Sequence, residues 1–244
     1  MRKDGTVMIE KISSAKDFVR ALAEYEGNDK VFNPWRDYDE RYDVAKAPLI
    51  RQQQLEAYME PRLGAPYIVV AEAVGYQGGR FTGIAITCER MLLGHHKSIT
   101  PSMIWPSCEL GERTSRSDSM YIEKEAQKRL GFNEPTDTVV WNSIQENGLD
   151  PYKVLLWNIF PFHPHKPLEP LSNRTPTPAE LDAGWPYTKV LLALNKKATV
   201  FAVGQKAAAT LAHYGVDSIA LRHPANGGAN LYKAQFKAAI ECGK

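Results

Sequence analysis

Along the first 66 residues apolar positions recur at helical spacing, whereas further on they gather into short continuous runs. Ser14, followed three residues later by Asp17, opens a helix with Phe18, Val19, Leu22 and Ala23 on one face, and Gly27 stops it. Residues 28–43 are polar and aromatic and read as loop. Pro48 suits a first helical position, and Leu49, Leu55, Tyr58 and Met59 carry a second helix to about Arg62. Runs at 67–71, 154–157, 199–203 and 218–221 then read as strands buried on both faces. Helical patterns separate the last three. Thr177-Pro178-Ala179-Glu180 is a capping box leading toward Leu194, residues 205–213 form a helix closed near Gly215, and residues 229–242 form another. Residues 94–135 interrupt the alternation, with one helix predicted over 120–130. Strands alternating with helices imply βαβ units. The pattern predicts an α/β fold, a three-layer α/β/α sandwich around a four-stranded parallel sheet. The expected organisation is one domain over 1–244, with residues 1–66 as a helical extension packed on it.

Composition narrows the class. Of 244 residues, 43% are apolar and 24% charged, which excludes wholesale disorder. The net charge of +2 neither requires nor excludes a nucleic-acid partner. Cys88, Cys108 and Cys242 form no CxxC pair and cannot supply four-cysteine ligation to zinc or an iron–sulfur cluster. A reduced, intracellular protein is the natural reading. The basic start lacks the apolar stretch of a signal peptide, and no run approaches the roughly 18 residues of a membrane span.

In open parallel sheets ligands sit beyond the carboxyl ends of the strands. Glu72 and a glycine-rich turn with Gly75, Gly78 and Gly79 follow the first run. Asn158 ends the second, Gly204 follows the third, and His223 leads into Asn226-Gly227-Gly228 after the fourth. A carboxylate, an amide and an imidazole therefore converge on one rim. An Asn amide matches the adjacent N–H and C=O of a uracil-like ring and mismatches cytosine. A His donor can stabilise negative charge on a departing base, and a carboxylate can activate water. His163 and His165 offer a metal only two ligands, where zinc needs at least three.

From about Tyr67 onward these motifs resemble the uracil-DNA glycosylase superfamily. Residues 70–75 with 80–87 look like its water-activating loop and base-stacking segment, and Leu155-Leu156-Trp157-Asn158 like its base-reading strand end. Ser172 to Glu180 is similar to the Asn-Arg-x-Pro-Thr-Pro stretch of the thermophile-type branch, Ala202 to Ala207 to its strand-to-helix turn, and Arg222-His223-Pro224-Ala225 to its His-Pro-Ser motif. The sequence departs from the family where the water-activating Asp falls at Ala73, leaving Glu72. The stacking Phe falls at Ile86, with Phe81 or Phe160 as substitutes. The bulky residue that excludes thymine falls at Gly75, beside Tyr76, and the iron–sulfur cysteines have no counterpart.

The resemblance implies a monofunctional DNA repair glycosylase that flips and excises uracil, leaving an abasic site. It would need no cofactor or metal, and would act as a cytoplasmic monomer on chromosomal DNA, without a membrane. Glu72 and His223 would be catalytic, and Ala73, Gly75, Tyr76, Phe81, Ile86 and Asn158 would line the base pocket. Arg174, Asn226, Gly227, Gly228, Leu231 and Tyr232 would contact DNA, with Leu231 or Tyr232 as the wedge. Two alternatives stand beside it. One is a slow or non-catalytic binder of uracil-containing or abasic DNA, favoured by Ala73 and Ile86. The other is a glycosylase for another deaminated base, since Gly75 leaves room beside the ring.

Overall fold

Helix α1 (Ala15–Ala23) starts where Ser14 accepts the Asp17 N–H at 3.1 Å, and it buries Phe18, Val19 and Leu22. In this computed structural model residues 12–107 and 109–242 are described; Cys108 and the basic start of the chain lie outside them. A two-residue strand, β1 (Val31–Phe32), breaks the expected loop, and α2 (Ala47–Met59) follows with Pro48 in its first turn. Next come β2 (Tyr67–Ala73) and three short helices, α3 (Gly79–Thr82), α4 (Glu89–Leu92) and α5 (Glu125–Leu130). The chain continues through α6 (Pro135–Glu146), β3 (Val154–Phe160), β4 (His163–Pro164), α7 (Pro178–Leu194), β5 (Thr199–Val203), α8 (Gln205–His213), β6 (Ile219–Leu221) and α9 (Ala229–Cys242).

The main sheet runs β3-β2-β5-β6 with every pair parallel, while β1 and β4 form a small antiparallel pair. Neighbouring residues on β2 point to opposite faces. Val70 pairs with Trp157 and Val69 with Phe201, so those two rings lie on opposite sides of the sheet. Trp157 packs on Phe18 of α1 at 5.4 Å and donates its indole N–H to Thr188 of α7 at 3.0 Å. On the other side Phe201 meets Phe236 of α9 at 5.2 Å, and α9 lies beside α6. The three expected layers are present, and α1 and α2 share one hydrophobic cluster with the sheet. Among the described residues no helix is long and apolar enough to cross a membrane.

The expected helix over 120–130 is shorter. Ile122 is buried with Tyr42, Phe81 and Phe132, and the Ser119 hydroxyl accepts the Tyr121 N–H, so this stretch is held as turns until Glu125. Conversely, α6 was not predicted, although Pro135 at its first position and the spacing of Val140, Trp141 and Ile144 carry its signal.

A polar spine ties the long segment after β2 to the body. Asp43 is fully buried between Arg51, at 2.6 Å, and Arg80, at 2.5 Å. Burial alone would raise its carboxyl, but Arg80 and Arg51 hold it below the usual range. Burial lowers Arg51 to about 10. Nearby, Glu89 accepts from the N–H groups of Thr114, Ser115 and Phe132 and from the Ser115 hydroxyl, tying α4 to two later stretches of the excursion. Removing one member of a buried ion cluster leaves the others uncompensated. Asp43→Ala should therefore cost about 3–5 kcal/mol of unfolding free energy, measured by chemical denaturation.

Candidate active site

The parallel register brings Ala71 opposite Asn158 and Ala73 opposite Phe160. Pairing thus continues past the apolar runs, and Glu72 and Asn158 lie inside strands rather than beyond them. Between them opens a cavity of about 380 Å³, lined by Glu72, Ala73, Gly75, Ile86, Asn158 and His223. Gly78, Gly79, Glu134, Asp137, Asn173 and Arg174 also line it.

Asn158 is only 3% exposed. Its Nδ2 donates to the Ala73 carbonyl at 3.0 Å, while its buried Oδ1 has no partner among the described residues. A primary amide has two N–H donors and one acceptor oxygen. One N–H and the oxygen therefore remain, side by side, for a ligand. His223 is half-buried, and its Nδ1 accepts the Ala225 N–H at 3.1 Å. Burial, and then Arg222, lower its pKa, so the ring is neutral with its proton on Nε2. Gly204, at φ +86°, lets the end of β5 approach this ring, since a Cβ there would lie 3.3 Å from the His223 Cβ. Gly228 is required for the turn itself, because its Cβ would fall 2.0 Å from the His223 carbonyl oxygen.

Glu72 is partly exposed, and Lys206 of α8 lies 3.6 Å away, also donating to the Thr175 hydroxyl at 2.7 Å. Sequence reasoning passed over Lys206. Its signal is a cation in the first turn of a helix, where the helix dipole disfavours positive charge.

Several expected residues sit elsewhere. Phe81 is fully buried and stacks on Phe132 at 4.3 Å, and Phe160 is buried against Phe162, so neither ring lines the cavity. The platform position is instead held by Ile86, at φ +52°, whose carbonyl accepts the Trp141 indole N–H at 2.9 Å. A β-branched residue in this left-handed region stores roughly 1–3 kcal/mol of strain. Tyr76 turns its ring toward Phe132 and gives its backbone N–H to Asn173 Oδ1 at 3.0 Å. Arg174 spends all five N–H donors on Glu180 and on the carbonyls of His165, Thr175 and Lys30, leaving none for a phosphate. Tyr232 is buried in the core beside Phe236 and cannot serve as a wedge. Leu231 is 52% exposed next to the His223 loop. Asn226 and Gly227 form an exposed turn with positive φ.

Asp137 and Glu134 are the site residues that sequence reasoning missed most completely, because the helix that presents them was not predicted. Burial pushes the Asp137 carboxyl well above the usual carboxylate range, and Glu134 adds to the shift. Glu134 is itself raised by burial, against an opposing hydrogen bond from the Thr136 N–H. His163 is buried between the carbonyls of Val74 and Pro170, and burial lowers it to about 3. Among the described residues no group of three or more His, Cys, Asp or Glu is suited to a metal ion.

The model of the Uracil DNA glycosylase superfamily matches residues 122–241, which include Asn158, Lys206 and His223. Among solved structures, that of wild-type SMUG2 from Pedobacter heparinus is similar, with a TM-score of 0.60 and 15% identity over 95% of this chain and 98% of that one. At that identity the likeness concerns the fold. No curated protein gives a significant match.

Between the unfolded pKa of Asp137 and its raised folded value, the folded state binds more protons than the unfolded state. Stability therefore falls as pH rises through that window. Asp137→Asn should remove this dependence, so its melting temperature should gain on wild type steadily from pH 5 to pH 8 in calorimetric scans.

Proposed function

We propose that this chain, whose residues 122–241 match the model of the uracil DNA glycosylase superfamily, is a member that hydrolyses uracil from DNA, acting as a cytoplasmic monomer on the chromosome and leaving an abasic site. The observation that carries this reading is the buried, unpartnered Oδ1 of Asn158 beside its remaining N–H. That pair complements uracil N3–H and O4. Cytosine would set its own acceptor against Oδ1 and its amino group against the amide N–H, which rejects it.

The base must first leave the helix stack, at a cost of a few kcal/mol. Leu231 is the exposed apolar side chain placed to fill the gap, and the Asn226–Gly228 turn approaches the backbone. The C1′–N1 bond then breaks with its electron pair passing to the base. Nε2–H of His223 donates to the developing charge on O2, an interaction that strengthens only as the bond lengthens. Glu72 accepts a proton from the water whose oxygen joins C1′. Lys206, 3.6 Å away, orients that carboxylate, and supplies the cation for the flanking phosphate that Arg174 cannot.

Two variants separate enzyme from binder. Asn158→Ala should abolish uracil release while leaving the fold intact. His223→Ala should slow single-turnover release about 100- to 1000-fold with much less effect on DNA affinity. Both are read in excess-enzyme oligonucleotide assays with parallel binding measurements. Tight binding of uracil DNA by wild type without any release would favour a non-catalytic binder, and wild-type release by either variant would place the chemistry elsewhere.

A further inference from the structure

We propose that a second cavity, which shares His223 with the base pocket, is a subsite for the nucleotide next to uracil in the same strand, with Arg222 on its phosphate. The inference rests on the glycosylase reading above and extends it from the flipped base to the strand that carries it.

This cavity holds about 600 Å³ and is lined by residues of β6, α8 and α9. Its size falls within the roughly 300–1,000 Å³ of small-molecule sites. Its apolar lining is Ala208, Ala220, Leu221 and Leu231, and its polar lining includes Gln205, Arg222 and Gln235. Two side chains tie it to the flipped base. His223 lines both cavities. Leu231, which fills the place that uracil vacates in the stack, thereby touches the base that stood next to uracil, and Leu231 also lines this cavity.

Arg222 supplies the charge. Its guanidinium has no hydrogen-bond or ion-pair partner among the described residues, whereas Arg174 has spent every donor. Its stem runs beside the Asn226–Gly228 turn, since a Cβ on Gly228 would lie 3.1 Å from Arg222 Cγ. Gln235 Oε1 accepts the Arg222 backbone N–H at 2.7 Å, which fixes that amide and leaves its two N–H donors for a ligand. Every nucleobase carries an acceptor that such donors can meet. The apolar side chains take the face of the ring, so the subsite holds any base rather than reading one.

None of the residues lining this cavity is acidic. The groove beside β1 differs, because Asp29, Asp37, Asp39 and Glu40 line it. Its two cations, Arg36 and Arg41, are already paired with Glu26 and Asp39. A phosphodiester strand leaving the base pocket is therefore repelled by the groove beside β1 and drawn toward β6.

The test uses full-length enzyme in excess over single-stranded uracil oligonucleotides. The base on the 5′ or the 3′ side of uracil is left intact or replaced by a tetrahydrofuran abasic spacer. Release rates against enzyme concentration give the half-saturating concentration and the maximal rate. One of the two spacers should raise half-saturation about 10-fold with the maximal rate little changed, and its side identifies the neighbour that is held. Exchanging that base among adenine, cytosine, guanine and thymine should matter far less. Ala220→Trp, which fills the cavity from an exposed strand position, should bind weakly and lose the spacer penalty. Arg222→Gln should weaken affinity and lower the slope of log affinity against log salt by about 0.7. Melting temperatures check that both variants are folded. Equal half-saturation for the intact strand and both spacers would overturn the subsite alone, as would an unchanged salt slope in Arg222→Gln. A spacer penalty that survives in folded Ala220→Trp would place the neighbouring base elsewhere. Release of no uracil from any strand would overturn the glycosylase reading, and this proposal with it.

Discussion

The hydrogen bond from Asn158 Nδ2 to the Ala73 carbonyl joins the carboxyl ends of β3 and β2 and sets the orientation of the buried Asn158 amide at the cavity. It depends on a parallel register that holds β2 and β3 together to Ala73 and Phe160. Without it the amide could rotate, and Oδ1 and the free N–H would exchange places. The same parallel geometry delivers Glu72, Gly204 and His223 to that rim. A buried acceptor left unpaired costs roughly 1–3 kcal/mol, a cost that a ligand N–H at Oδ1 would offset.

The cavity is only half built by the sheet. Its opposite wall comes from the long excursion between β2 and β3, and buried polar contacts add to the apolar packing that holds that excursion down. Asp43 clamps Arg51 and Arg80, and Glu89 gathers backbone N–H groups from Thr114, Ser115 and Phe132. The strained backbone of Ile86 is fixed in the same way, by the indole of Trp141 on α6. Helix α6 thus fixes the floor of the pocket through Trp141 while presenting Asp137 at its side. A change that loosens α6 would disturb both.

Much of this was legible in the chain. Apolar runs located the four parallel strands, and the residues that follow them located Glu72, Asn158 and His223, because parallel strands end on one rim. The capping box at Thr177 and Glu180 gave the start of α7. What stayed hidden depended on distant partners. The charge on Arg174 suggested a phosphate contact, but Glu180 and three carbonyls consume its donors. The rings of Phe81, Phe160 and Tyr232 are indistinguishable in sequence from stacking or wedge residues, and only packing shows them to be core. The helix over 120–130 had good local propensity and lost its first half to the burial of Ile122. Lys206 and Glu134 join the site only through the fold's long-range packing.

Methylating the base N–H removes the donor that the unpartnered Oδ1 of Asn158 would accept. Single-turnover release would be compared on oligonucleotides that differ only in carrying uracil or 3-methyluracil. Uracil should be released and 3-methyluracil retained, because the methyl group removes the donor and collides with Oδ1. Release of both bases at the same rate would contradict the assignment of Asn158 as the reader of the base.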